Sequence, residues 1–180
     1  AGHEGRQKGP GCAALRRVRG RWLGEFMHLR STAIPDDSTI ELTHCEPSCG
    51  GQNISPDLTW SDAPQAAKSF GLTCFDPDAP AGSGWWHWIA FDIPAYLTSL
   101  DPDQGLQTPM RQWTNDYGYV GYGGPCPPPG PAHRYVFTVY ALDVETLDVP
   151  DEATSAACRF TLLAHAIDSA SFTAHFGIDA

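Results

Sequence analysis

Asp76, Asp78, His87, His133 and Tyr135 are the residues of this 180-residue chain whose types could carry chemistry. The carboxylates stand in "DPDAP" (76–80), His87 in "WWHW" (85–88), and His133 and Tyr135 in "HRY" (133–135). Two imidazoles, a carboxylate and a phenol meeting at one place can do three things. They can donate hydrogen bonds to a phosphate or carboxylate, with the glycines of "GGP" (123–125) letting the backbone come close. They can form a 2-His-1-carboxylate metal site. They can work as an acid–base pair, with Asp76, His87 and His133 as the groups. The plain alternative is that each histidine is a satisfied rim residue, and spacing does not decide among the four. No G-x-S-x-G nucleophile elbow is present, which weakens a hydrolase reading; Cys126 keeps a thiol role open.

These residues sit at the ends of segments that read as strands. "KSFGLTCFD" (68–76) is a buried strand ending at Asp76-Pro77, and "WWHWIAFDI" (85–93) is another, closed by Pro94. "HRYVFTVYALDV" (133–144) is β-branched and aromatic throughout and gives the strongest strand signal. "STIELTHC" (38–45) alternates and is expected as a strand, and "LTWSDAP" (58–64) as a short one stopped by Pro64. Residues 45–57, 95–116 and 118–132 read as loops from their Gly, Asn and Pro density. Ala157, Phe160, Leu163, Ala164 and Ile167 fall at helical spacing within 154–167, with Asp151 or Thr154 as N-cap, and 169–177 returns as a final strand. Sixteen prolines and eighteen glycines favour a turn-rich β fold over a helical bundle. The expected fold is mainly β, an antiparallel β-sandwich with one or two helices near the C-terminus.

Alternation then assigns faces. Trp85, His87, Ile89 and Phe91 share one side of their strand, opposite Trp86, Trp88, Ala90 and Asp92. His133, Tyr135, Phe137 and Val139 share a side of theirs, opposite Arg134, Val136, Thr138 and Tyr140. If the strand starts lie at one rim, His87 and His133 meet there, and Asp76 and Asp78 reach the same rim. Pro77 and Pro80 fix a non-sheet path after the first strand, and either Xaa-Pro bond could be cis.

Charge and length limit the functions open to the chain. One domain of ordinary globular composition is expected, with 42% apolar and 18% charged residues. The net charge of −10 is uneven: residues 1–26 carry six basic and two acidic side chains, so residues 27–180 carry about −14. Such a body repels nucleic acid and anionic membrane, and no apolar run is long enough to insert into a bilayer. A bound anion would have to be held locally by His, Tyr or backbone N–H groups. The first 26 residues show neither helical nor strand periodicity, so Met27 is expected as the natural start of a single domain over 27–180, with 1–26 as added or upstream sequence. The other option is a native basic arm. Six cysteines without paired CxxC spacing are expected as free thiols in a reducing, cytoplasmic setting, although Cys45 and Cys49 could bridge or bind metal.

Taken together and in order, "DPDAP" (76–80), "WWHW" (85–88) and "GGPCPPPGPAHRYVFTVYAL" (123–142) resemble the signature segments of the phosphatidylethanolamine-binding protein family, also called Raf-kinase-inhibitor-protein-like. "NISPDLTWSDAP" (53–64) and the 154–176 tail are similar to its bacterial and archaeal branch, and the resemblance runs from about 28 to 177. It implies an antiparallel β-sandwich with a small anion pocket at one rim. Carried over residue by residue, Asp76, Pro77, Asp78, His87, Gly124, Pro125, His133 and Tyr135 would line that pocket. The ligand would be a phosphate, a carboxylate or a phospho-headgroup, held without metal or cofactor. A kinase or protease partner is also implied, as a protein to be bound rather than a substrate to be turned over. Arg134, on the opposite face, would pair with an acidic residue such as Asp78. Two departures matter: "GPAHR" places Ala132 before the histidine with the loop glycine displaced to Gly130, and the long C-terminal helix of eukaryotic members is not evident. The pocket would then be more open, or covered by a second subunit in a homodimer. Deleting residues 1–26 should leave both melting temperature and anion binding unchanged; differential scanning calorimetry and titration of the shortened chain check this.

Overall fold

The computed structural model describes residues 26–103 and 108–180, and the backbone of 17–18 and 21–22. The reading of 1–26 as sequence outside the domain, and Cys12 with it, lies almost wholly outside the described residues. The strands are Arg17–Val18 (β1), Arg21–Trp22 (β2), His28–Arg30 (β3), Leu58–Ser61 (β4), Ser69–Asp76 (β5), Trp85–Pro94 (β6), Ser99–Leu100 (β7), Arg111–Gln112 (β8), His133–Leu142 (β9) and Ala166–Phe176 (β10). One helix, Ser155–His165 (α1), precedes β10. Five strands form the main sheet in the order β10-β9-β5-β6-β8, and β3-β4-β7 form a smaller one; every pairing is antiparallel. Among the described residues the chain is therefore mainly β, with one α-helix near its C-terminus.

The inner face of the main sheet packs on the small sheet. Phe70, Leu72, Trp88, Tyr135 and Phe137 meet Leu29, Leu58 and Trp60 in one buried cluster, with the Trp60 and Phe70 rings edge to face at 5.4 Å. Burial of such side chains stabilises the fold by about 1.5–3 kcal/mol each. The outer face is covered by α1. Thr154 starts the helix by accepting a hydrogen bond from Ala157 N at 3.2 Å, as an N-cap should. Leu162 then seats on Gly71, where an added Cβ would lie 2.8 Å from Leu162 Cδ1. Arg159 lays its guanidinium 4.0 Å over the Trp86 ring.

Three expectations are corrected. The segment 38–45 is not a strand: Thr39 makes one isolated bridge to His175, and Leu42–His44 then turns as a 3-10 helix. The turn breaks alternation, leaving Ile40, His44 and Cys45 buried and Leu42 exposed. Second, α1 buries Cys158 and Leu162, whereas Phe160, Leu163 and Ile167 of the expected apolar stripe face outward. Packing on Gly71, not helical hydrophobicity, sets which side faces the sheet. Third, β6 does not alternate strictly. Phe70 pairs with Ile93 but Leu72 with Ala90, and Cys74 pairs with Trp88 but Phe75 with Trp86. Each interval holds one extra residue in β6, a bulge that re-aims the side chains beyond it. Ile89 and Phe91 therefore join the outer cluster, away from His87, and Trp88, Ala90 and Ile93 the inner one. Asp92, in the second bulge, has φ 59° and accepts from Leu147 N at 2.8 Å and Arg111 Nε at 2.7 Å.

The two leucines of α1 give a direct check. Leu162→Ala should lower unfolding free energy by about 2–4 kcal/mol through a cavity over Gly71. Leu163→Ala should change it by less than about 0.5 kcal/mol, as at other exposed sites. Urea titration of both variants reads the difference.

Candidate functional site

The site begins with the end of β5. Asp76 is 2% exposed, and a carboxylate this deep must be paired. Its Oδ1 accepts from the backbone N–H of Asp78 at 2.8 Å and of Ala79 at 3.1 Å, closing the corner that the prolines begin. Its Oδ2 lies 2.7 Å from His133 Nδ1, so that ring donates from Nδ1 across the two neighbouring strands. The peptide bonds of Pro77 and Pro80 are trans.

His87 is fixed from the other side. The first bulge of β6 leaves it outside the register and turns it to the inner face, where its ring stands edge to face with Tyr135 at 5.1 Å and Tyr117 at 5.5 Å. Its Nδ1 donates to the Gly123 carbonyl at 2.6 Å, and Gly123 N–H returns a bond to the His87 carbonyl at 2.8 Å. Burial holds the His87 pKa below the ordinary imidazole value, opposed in part by the Gly123 hydrogen bond. The ring is thus neutral at pH 7.

The two histidines share a design. Each has Nδ1 engaged behind it, on a carboxylate or a carbonyl, and each lines the same cavity of about 390 Å³. Nε2 is the nitrogen left for a ligand in both. Asp76 and Tyr135 lie at the same cavity, so four of the residues singled out in the sequence come together. The Tyr135 hydroxyl is buried without a hydrogen-bond partner among the described residues, and so is Trp85 Nε1. Burial raises the Tyr135 pKa, so the phenol stays a donor. The remaining lining is apolar: Ala79, Pro80 and Ala81 make one lip, and Cys126, Pro127 and Pro128 the other.

Pro77, Asp78, Gly124 and Pro125 do not line this cavity. Asp78 turns outward and takes Arg134 as expected, accepting from its backbone N at 2.8 Å, Nε at 3.0 Å and Nη2 at 2.8 Å. These bonds lower the Asp78 pKa to about 2. The pair lies at the surface and not in a buried setting. Gly124 and Pro125 serve the loop's backing. A Cβ on Gly124 would lie 2.0 Å from the His44 carbonyl oxygen, and a Cβ on Gly123 2.6 Å from Tyr117 Cδ2. The close approach that needs glycine is therefore to Tyr117 and His44. Asn53 completes the backing: its Oδ1 accepts from Gly124 N at 2.7 Å and its Nδ2 donates to the Tyr122 carbonyl at 3.1 Å. Pro125 O accepts from Glu46 N at 3.1 Å.

Besides the two lips, Trp85 and Tyr117 are the lining residues that sequence reasoning misses. An aromatic beside a strand start reads as core, and Tyr117 lies in a segment without periodicity. Cysteine pairing is a further correction. Cys49 and Cys126 form a disulfide, their Cα atoms 5.6 Å apart across 77 residues of sequence, while Cys45, Cys74 and Cys158 are free and buried. The cytoplasmic expectation rested on free thiols and loses that support. Among the described residues no helix is long and apolar enough to cross a membrane, and no three His, Cys, Asp or Glu side chains are grouped to hold a metal ion.

A β-sandwich carrying two back-anchored histidines, a buried carboxylate and a tyrosine at one rim defines a class. The family model for phosphatidylethanolamine-binding proteins matches residues 30–177, and the chain belongs to that family. It is similar to two UPF0098 proteins of Escherichia coli (strain K12): 43% identical to YbhB, over 83% of this chain and 99% of YbhB, and 46% identical to YbcL, over 69% of this chain and 72% of YbcL. The crystal structure of E. coli YbcL, described as a member of the mammalian PEBP family, superposes with a TM-score of 0.81 at 40% identity, covering 85% of this chain and 99% of that one. A Chlamydia trachomatis homologue, CT736, gives 0.75 at 33% identity, covering 86% and 99%.

The His87 geometry sets a pH dependence. A folded-state pKa below the unfolded value near 6.5 means the unfolded chain binds the proton first. The neutral ring contributes stability above about pH 6.5, and that contribution is lost as pH falls through the lower folded value. In an NMR titration the His87 ring should keep its neutral chemical shift at pH 6.5; half-protonation there would contradict the buried geometry.

Proposed function

We propose that the protein binds a small anion, a phosphate, a carboxylate or the phosphate of a headgroup, without turning it over. The observation that carries this is the set of four uncommitted groups at one cavity: Nε2 of His87, Nε2 of His133, the Tyr135 hydroxyl and Trp85 Nε1. Two of them are donors by nature. His133 becomes a third only with a proton on Nε2, because its Nδ1–H already points to Asp76. A neutral His133 offers a lone pair, which an anion avoids. Anion binding and protonation of His133 are thereby coupled. His87, held neutral, keeps an acceptor at Nε2, which suits the P–OH of a singly protonated phosphate or phosphate monoester.

The same geometry leaves Asp76 and Cys126 no free group for chemistry of their own. Both oxygens of Asp76 are occupied by three donors, and Cys126 is tied in a disulfide. The family name adds a phospholipid headgroup as one source of such a phosphate. Regulation of a kinase or protease, the other role the family suggests, would use the acidic body against a basic partner surface.

Sulfate and phosphate titrations test the reading. Sulfate does not titrate near neutrality, so any pH effect on its binding comes from the protein. Affinity for both should fall as pH rises from 6 to 8, with proton uptake on binding, and His133→Ala should weaken binding by about tenfold or more, the loss expected for a hydrogen bond to a charged group. Binding that ignores both pH and His133→Ala would refute it.

A further inference from the structure

The two lips of the cavity are held by different means. Ala79, at the edge of one lip, donates its N–H to Asp76 Oδ1. The other lip, Cys126 to Pro128, leads into Pro129, and three successive prolines leave it almost no N–H to donate. Its flanking backbone ties are Glu46 N to Pro125 O at 3.1 Å and Gly130 N to Ile178 O at 2.9 Å. Between these points the Cys49–Cys126 bond is the strong anchor, supplemented by Ser48 Oγ at 3.4 Å from Cys126 Sγ. The far end of the anchor is firm. Cys49 closes the 3-10 turn Pro47–Cys49, capped by the Glu46 carboxylate on Ser48 N at 2.7 Å. Gly51, just beyond, packs so closely on Cys45 that an added Cβ would lie 2.0 Å from its carbonyl oxygen. Both bridged cysteines are partly exposed, whereas Cys45, Cys74 and Cys158 are buried. Burial pushes the Cys45 thiol up to about 12 and the Cys158 thiol to about 11, which leaves them poorly reactive.

We propose that the Cys49–Cys126 pair is a redox-sensitive anchor of the cavity wall, so that the anion site is tight when the pair is oxidised and loosened when it is reduced. This rests on the anion-binding reading above. The chemistry is thiol–disulfide exchange with a dithiol. A dithiol thiolate attacks one sulfur of the pair, a mixed disulfide forms, and the second dithiol sulfur displaces it. The protein gains two electrons and two protons as two cysteine thiols, and the dithiol leaves as a disulfide. Once freed, the proline wall samples positions that no longer close the cavity. If it keeps the binding-competent position about a tenth of the time, apparent affinity falls about tenfold.

The experiment compares phosphate binding by calorimetry for the oxidised full chain, the same chain after reduction by a dithiol and its anaerobic removal, and Cys49→Ser, which changes no cavity-lining residue. Near-UV circular dichroism is recorded on each. The expected result is about tenfold weaker binding for the reduced chain and for Cys49→Ser, recovery on reoxidation of the wild type, and a retained near-UV spectrum. Equal affinity in all three would overturn the inference and leave the anion reading intact. Absence of phosphate binding by the oxidised chain would overturn the anion reading, and this inference with it. Loss of the near-UV spectrum on reduction would also overturn it, because the pair would then staple the whole fold.

Discussion

A single buried carboxylate is the constraint on which the site depends. Asp76 ends a strand in the middle of the main sheet, and at 2% exposure its charge would cost several kcal/mol unpaired. Three donors meet it: two N–H groups of the adjoining turn and the Nδ1–H of His133 from the adjacent strand. These bonds decide three things together. They close the corner after β5, fix the tautomer and tilt of His133, and free the neighbouring carboxylate to face outward. Asp78 takes that outward role on Arg134. The short "DPD" motif thus divides its two carboxylates between an inner electrostatic post and an outer clasp, and the proline between them enforces the turn.

The opposite half of the site depends on a defect in the sheet. Strict alternation would have set His87 beside Ile89 and Phe91, under the helix. The extra residue in β6 moves it to the inner face, against Tyr135, and lets it exchange bonds with Gly123. That exchange in turn demands glycines at 123 and 124, because Tyr117 and the His44 carbonyl occupy the space a side chain would need. The segment 42–51, irregular and without a ladder of its own, is the backing for this loop. Tyr122 donates to its His44 carbonyl at 2.8 Å, and Asn53 bridges to Gly124 and Tyr122 just beyond it. Its failure to form a strand is therefore part of how the cavity is built.

Much of this was legible in the chain. The strong runs gave their strands within two residues: 133–144 against His133–Leu142, and 68–76 against Ser69–Asp76. Period-two alternation correctly placed His133 and Tyr135 together, and the two histidines and Asp76 do share a cavity. The features that stayed hidden are those that period and composition do not measure. A bulge is one extra residue and leaves the apolar pattern looking like an uninterrupted strand. The "STIELTHC" run alternates, yet tight packing against Gly124 and Gly51 overrides that local preference. On α1 the spacing of Phe160 and Leu163 was real, but the helix ends before Ile167 and Gly71 supplies the socket for Leu162 instead. A disulfide between residues 77 apart leaves no local mark, since only the fold brings Cys49 and Cys126 together.

Net charge adds a final constraint on anything the cavity accepts. The body of the chain carries about −14, and Arg134, next to the cavity residue His133 in sequence, is already matched by Asp78. The long-range field therefore opposes an anion, out to roughly the 8 Å screening length of physiological salt. For the proposed anion, attraction would arise only at contact, where uncommitted donors stand in an apolar, proline-walled recess and each hydrogen bond is stronger than in water. A site of this kind discriminates by geometry instead of by bulk charge. On the anion-binding reading proposed above, a ligand would have to bring oxygen atoms to the positions of Tyr135, Trp85 and His133 at once, because the described body supplies no surrounding cationic field. On that reading the ties of the two walls, one closed on Asp76 and the other joined to Cys49, would hold those positions together and make a weakly attractive recess a selective one.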